Sequence, residues 1–205
     1  MNKGTLYIIA AASGTGKTSL TEALARTVEN IKISVSHTTR PIRANEKANQ
    51  HYFYVTAPEF EELIKKQAFL EYAHVFGHYY GTSRQAIEES LNAGFDVILD
   101  IDWQGARQVR ERIACTTIFL LPPSYAELRL RLEKRKREDS QVIEERLAAA
   151  SSEISHYKEF DYVVINDKFE DALLDLQAII RSHRLRLNSQ TAKHNSLIQE
   201  LLKNI

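Results

Sequence analysis

The chain has a single cysteine, Cys115, among its 205 residues. A disulfide framework within the chain is therefore excluded, which fits a reducing cytosol, and the thiol opens an apolar run where it is expected to be buried. Net charge is also lacking: 27 Lys and Arg balance 27 Asp and Glu. No global field argues for a nucleic-acid polymer or an anionic membrane as partner, so any electropositive site must be local. No apolar stretch approaches the roughly 20 residues of a membrane span. Met1-Asn2-Lys3-Gly4 leads straight into a short strand-like run, with no signal-peptide pattern. Repeats and low-complexity segments are absent. The histidines His37, His51, His74, His78, His156, His183 and His194 are scattered without metal-ligand spacing. No Ser-His-Asp or Cys-His arrangement is readable. What remains is a soluble, cytoplasmic, single-domain protein with enough chain for a sizeable core and an inserted subdomain.

What is present begins with Thr5-Leu6-Tyr7-Ile8-Ile9, followed by Ala10-Ala11-Ala12-Ser13-Gly14-Thr15-Gly16-Lys17-Thr18. An apolar strand runs into a glycine-bearing loop and then into a helix patterned by Leu20, Leu24 and Val28. Such a loop wraps a polyphosphate with inward N–H groups and a helix N-terminus. Lys17 brings a cation to the β- and γ-phosphates, and the Thr18 hydroxyl meets Mg²⁺. Ala11 replaces the first glycine of the G-x-x-x-x-G-K-[ST] pattern, which is tolerable if its φ is negative. Without the flanking strand and helix, the pentapeptide could be a chance surface turn.

Strands are expected over 5–10, 32–36, 96–101, 115–121 and 161–165. Helices are expected over 17–28, 104–112, 124–136, 141–156 and 168–187. Short apolar strands between helices describe an α/β fold, a parallel sheet with both faces covered, its ligand at the carboxyl ends of the strands. Residues 37–93 break the alternation with short strand-like pieces around a helix at 58–66, and are read as an inserted, mostly antiparallel subdomain. Residues 134–141 are charged and without an apolar anchor, which suits an exposed, mobile segment. Near the C-terminus, Leu197, Ile198, Leu201 and Leu202 form one helical stripe that packs on its own core or on a partner, the first being favoured.

Three further clusters carry chemistry. Val97-Ile98-Leu99 ends in Asp100-Ile101-Asp102, and alternation sends both acids to one side of the strand. One of them suits support of Mg²⁺ through water while the other reaches a second ligand, and a plain strand end with Asp102 as a helix N-cap is the bland alternative. Arg40 and Arg43 flank a proline in an extended segment and suit bidentate binding of a phosphate monoester, although a solvated basic loop has the same composition. Arg129, Arg131, Arg135, Arg137 and Arg146 lie around the charged segment. Most arginines on such helices are surface residues, but phosphoryl transfer needs cations brought in by a closing lid. Trp103 is read as helix-start packing.

Taken in order, Ala12 to Thr18, Ser34-Val35-Ser36-His37-Thr38-Thr39-Arg40, Phe69-Leu70-Glu71-Tyr72-Ala73, Tyr79-Tyr80-Gly81-Thr82-Ser83, Leu99 to Ala106 and Val164-Ile165-Asn166-Asp167 resemble bacterial guanylate kinases over essentially the whole chain. The resemblance implies ATP + GMP ⇌ ADP + GDP with Mg²⁺, on a core (1–36, 94–133 and 157–205), a GMP-binding subdomain (37–93) and a lid (134–156). It implies that Ala11, Ala12, Ser13, Gly14, Thr15, Gly16, Lys17, Thr18, Arg131, Arg135 and Asn166 bind ATP. Ser36, Arg40, Arg43, Tyr52, Glu71, Tyr80, Thr82 and Asp102 would bind GMP. Lys17, Arg43, Arg135 and Arg146 would stabilise the transferring phosphoryl group, with Thr18 and, through water, Asp100 at the metal. Lys134-Arg135-Lys136 stands where the family often has Gly-Arg-Gly, leaving Arg135 and Arg137 as competing candidates, of which Arg135 is preferred. A guanylate-kinase-like binding module without catalysis is disfavoured by the intact Gly16-Lys17-Thr18. A kinase for a sugar phosphate is disfavoured by Glu71, since a sugar has no base edge to read.

Overall fold

A computed structural model describes residues 3–43, 46–75, 77–135 and 140–203, with backbone alone at 135 and 140–142. Five parallel strands form the central sheet in the order β2-β7-β1-β8-β9. They are β1 (Leu6–Ala11), β2 (Ile31–Ile33), β7 (Asp96–Asp100), β8 (Thr116–Leu121) and β9 (Tyr162–Ile165). Period-two alternation in β1 explains the two layers around it. Tyr7 and Ile9 face a cluster with Leu20 and Leu24 of α1 (Lys17–Thr27) and Leu176 and Ile180 of α7 (Phe169–Arg184). Leu6 and Ile8 face the opposite way, onto Ile87 and Leu91 of α3 (Arg84–Asn92) and Val109 of α4 (Trp103–Arg110). A strand apolar on both faces is what a doubly covered parallel sheet requires.

The second sheet has the order β4-β3-β6-β5, from β3 (Ser36–Thr38), β4 (Tyr52–Tyr54), β5 (Phe69–Val75) and β6 (His78–Ser83). β3 pairs with β4 in parallel, whereas β3–β6 and β5–β6 are antiparallel. Helix α2 (Ala57–Lys65) opens with a reciprocal capping box between Thr56 and Glu59 and buries Phe60. The stacked rings of Phe60, Phe69 and Tyr79 fill this smaller core. Helix α3 falls inside 37–93 in sequence but was not anticipated there, and its Ile87 and Leu91 pack on the central sheet.

Helices α5 (Tyr125–Arg135) and α6 (Ser140–Ile154) form an arm whose Leu128, Leu132, Leu147 and Ala150 close over Ala12. A 3-10 turn (Ser155–Glu159) follows. There His156 stacks on Trp103 with centroids 3.5 Å apart, and Arg107 donates to both oxygens of Glu159 at 2.6 Å. Trp103 thus does pack at a helix start. Two expectations need correction. Cys115 is half-buried rather than buried, and burial pushes its thiol up to about 11. The terminal stripe lies on α9 (Asn195–Lys203), after α8 (Leu187–Lys193), and Leu197, Leu201 and Leu202 are more than half exposed rather than packed on the core.

Candidate active site

The chain reverses direction across the sheet beside β1, so a crevice opens at the carboxyl ends of β1 and β7. Ala11 closes β1 in an extended conformation, so its missing glycine costs nothing there. Gly14 and Gly16 do have positive φ, 90° and 97°, which a side chain would strain. A Cβ on Gly16 would also stand 2.7 Å from the Asn166 amide. Helix α1 starts at Gly16 with no side-chain cap, leaving its first N–H groups to face an anion. Thr15 is fully buried, and its carbonyl oxygen accepts from Asn166 Nδ2 at 2.6 Å and Arg131 Nη1 at 3.3 Å. Arg131 also bonds the Asn166 carbonyl oxygen and Glu127. Asn166 and Arg131 therefore brace the loop and line a 310 Å³ cleft with Gly14, Gly16 and Phe169. The Ser13 N–H, in contrast, is taken by Glu153 Oε2 of α6 at 3.0 Å, an acid no sequence signal marked.

Lys17 itself lines a second, 640 Å³ cleft with Thr18, Ser36, Tyr52, Glu71, Tyr80, Asp100 and Asp102, among others. Lys17 Nζ sits 2.5 Å from Asp100 Oδ1 and donates to the Ile101 carbonyl oxygen at 3.0 Å. Asp102 is a helix N-cap that also borders the cleft, one carboxylate oxygen capping α4 through the Gly105 N–H at 2.8 Å.

Glu71 is 4% exposed and accepts a 2.5 Å hydrogen bond from the Thr82 hydroxyl. Burial pushes its carboxyl up to about 7; the Thr82 bond pulls it down and the Asp102 charge adds to the rise. Glu71 lines the same cleft, and a carboxylate kept there at that cost is a candidate acceptor for donors on a ligand.

Arg40 is nearly buried and pairs with Glu46 at 2.7 Å, with its guanidinium over the Tyr52 ring. The Arg40 hydrogen bond is the main reason Glu46 is held down at about 2, helped by the Arg43 N–H and the Tyr54 hydroxyl. Tyr52 and Tyr80 meet edge to face at 5.9 Å. Arg43 is exposed, and it and half-buried Arg146 are not among the residues lining either cleft. The side chain of Arg135, together with Lys136 and Arg137, lies outside the described residues. Arg40 and fully buried Thr82 line neither cleft, and sequence reading also missed Glu46, a near neighbour of Arg40 in the chain, and Glu153, which reaches Ser13 only through tertiary approach.

A phosphate loop at the end of β1, a loop lysine held by an acid on the neighbouring strand, and two clefts together define a P-loop nucleotide phosphotransferase. The guanylate kinase family model matches residues 3–183. The chain is 53% identical to a guanylate kinase of Photobacterium profundum and 52% to that of Escherichia coli K12, in each case over 98% of this chain and 99% of the relative. The crystal structure of guanylate kinase from Anaplasma phagocytophilum superposes with a TM-score of 0.75 at 32% identity, covering 91% of this chain and 89% of that one. The chain belongs to the guanylate kinase family.

Proposed function

We propose that this chain transfers the γ-phosphoryl group of ATP to GMP, giving ADP and GDP. The observation that carries the reading is Glu71, buried against the Thr82 hydroxyl, in the lining of the cleft that also contains Lys17. A carboxylate there accepts from guanine N1–H and the 2-amino group. Adenine offers no such donor pair, so AMP would leave Glu71 buried and unpaired, a penalty of about 10⁴-fold or more in kcat/KM.

ATP lies along the phosphate loop with its base toward the cleft of Arg131 and Asn166. Arg40, Tyr52 and Tyr80 hold the phosphate of GMP, while Ser36, Glu71, Thr82 and Asp102 hold its base. A phosphate oxygen of GMP then attacks the γ-phosphorus as the bond to the bridging β-oxygen breaks, and ADP leaves. The GMP phosphate dianion is already a competent nucleophile, so positioning and charge stabilisation suffice without a general base. Lys17 stays with the transferring group, and Arg43, Arg135 and Arg146 join it when subdomain 37–93 and lid 134–156 close and exclude water.

Mg²⁺ suits this site. Asp100 already holds a cation, the Lys17 ammonium, and the Thr18 hydroxyl lines the same cleft, giving hard oxygen donors. Thr18 would hold the ion directly and Asp100 through water, and when bound it neutralises charge on the β- and γ-phosphates. Both substrates are cytoplasmic metabolites, so the reading puts the enzyme in the cytoplasm.

The test is ADP release from Mg-ATP with GMP, AMP, CMP and UMP offered separately. Turnover with GMP alone is expected. ATP binding without turnover on any of them would overturn the kinase reading in favour of a binding module.

A further inference from the structure

The ladder between β5 and β6 is irregular at one point. Phe69 is opposite Ser83, yet the next pair is Glu71 with Thr82, so Leu70 is an extra residue in β5. An uninterrupted register would put Leu70 opposite Thr82 and Glu71 opposite Gly81. The bulge lets Leu70 enter the central core beside Leu6, Ile8 and Ile87 while Glu71 still faces the Thr82 hydroxyl. Bulged backbone must find partners outside the ladder. Here they come from α4 and the turn just past it. Arg112 Nη1 takes the carbonyl oxygens of Phe69 at 3.1 Å and Leu70 at 2.5 Å. Gln108 bonds both backbone groups of Tyr72: the Tyr72 N–H donates to Oε1 at 3.2 Å and Nε2 donates to the carbonyl oxygen at 3.0 Å.

These bonds fall on the two peptide groups that flank the Glu71 Cα. The Leu70–Glu71 peptide is held through its carbonyl by Arg112, and the Glu71–Tyr72 peptide through its N–H by Gln108. Gly105, three residues before Gln108 on α4, has a surface so close that a Cβ would stand 3.0 Å from Glu71 Oε2. We infer that Arg112 and Gln108 are positioning residues for base discrimination, fixing the Glu71 carboxylate against α4 at the depth and angle that a guanine edge requires. This rests on the reading of Glu71 as the base-reading residue. Neither residue is in the lining of the cleft. Arg112 pins the bulge and Gln108 the residue just past Glu71, and a carboxylate displaced by a fraction of an ångström no longer meets two donors at once.

The substrates that read this out are GMP and IMP, which differ by the 2-amino group alone. Arg112→Met keeps an unbranched apolar stem, shorter than that of arginine, and removes its donors, and Gln108→Ala removes both bonds to Tyr72. Each is expected to raise KM for GMP by about tenfold and to shrink the preference for GMP over IMP by a similar factor. KM for ATP should stay within about twofold, a split that a general loss of structure would not produce. Arg112→Lys, which can still reach one carbonyl, should restore part of the preference.

The same variants are then made on Glu71→Gln. If Glu71→Gln raises KM for GMP and Arg112→Met adds nothing further, the positioning role stands. If Arg112→Met leaves the GMP/IMP preference unchanged, or has its full effect on top of Glu71→Gln, the inference is overturned while the base-reading role survives. If Glu71→Gln itself leaves the preference unchanged, the base-reading role fails and this inference with it. Should Arg112→Met not fold, as judged by its melting curve, Gln108→Ala decides by the same criteria.

Discussion

The Lys17 ammonium lies 2.5 Å from Asp100 Oδ1, which ties the phosphate loop to the end of the neighbouring strand β7 before any nucleotide arrives. Both side chains are about one-fifth exposed, so the pair is partly screened but not fully solvated. On the proposed reading, the same carboxylate would serve the metal of Mg-ATP through water once the ammonium turns to the phosphates.

Asp100→Asn should therefore act on metal dependence more than on either nucleotide. The Mg²⁺ concentration giving half-maximal rate is expected to rise by about 10- to 100-fold, as when a group that orients a metal's shell is lost. KM for GMP should stay nearly constant. A magnesium titration of the initial rate checks this, and an unmoved midpoint would remove Asp100 from the metal site.

The second expectation concerns Glu153, whose carboxylate occupies the Ser13 N–H at 3.0 Å. An anion on a phosphate-loop N–H competes with the phosphates for it and repels them. Glu153→Ala should then tighten ATP binding by about three- to tenfold, the equivalent of one exposed hydrogen bond. Calorimetric titration with a non-hydrolysable ATP analogue measures the change. Weaker binding would mean that Glu153 supports the loop rather than competing for it.

Glu71 carries a cost in the empty protein. Its carboxyl is raised from 4.5 to about 7, chiefly by burial. A group with a raised folded pKa contributes stability that is fully present below about pH 4.5 and lost as pH rises through about 7. Glu71→Gln never ionises, so its stability relative to the parent should improve by about 2 kcal/mol between pH 5 and pH 8. GMP, by contrast, needs the ionised form, and its KM should rise as pH falls below about 7 in the parent protein. Urea melts at the two pH values test the first statement. A pH profile of KM, flattened in Glu71→Gln, tests the second.

The legible and illegible parts of this molecule divide along physical lines. The phosphate loop, the apolar strand before it and the acids ending β7 are local patterns, and each was readable because its chemistry is set by neighbours in sequence. Helix α3 was missed because Arg84 to Asn92 is weakly apolar, with only Ile87 and Leu91 buried. The stripe on α9 was legible as a helix but its exposure was not, because amphipathicity says that a face is apolar and not what covers it. Glu153 on Ser13 and Arg112 on the Leu70 carbonyl oxygen are contacts between distant segments, and Glu46 meets Arg40 at a separation that belongs to no regular element. No spacing rule reaches them, and in a site tuned by such contacts the residue types are readable while their pairings are not.

Gly105 separates stability from selectivity most directly. It lies in α4, and its φ is not positive, so alanine fits the backbone and favours the helix by up to about 1 kcal/mol. The space is another matter. The new Cβ would stand 3.0 Å from Glu71 Oε2 and 3.3 Å from Ile101 Cδ1, so one of them must give by a few tenths of an ångström. Both residues border the cleft, but the Glu71 oxygen is the nearer contact and must therefore take the larger displacement. Gly105→Ala is accordingly expected to melt within a few degrees of the parent, to raise KM for GMP by about tenfold and to leave KM for ATP unchanged. A melting curve and two saturation curves measure it. A large loss of melting temperature with kinetics intact would show that the helix, and not the carboxylate, had absorbed the methyl group.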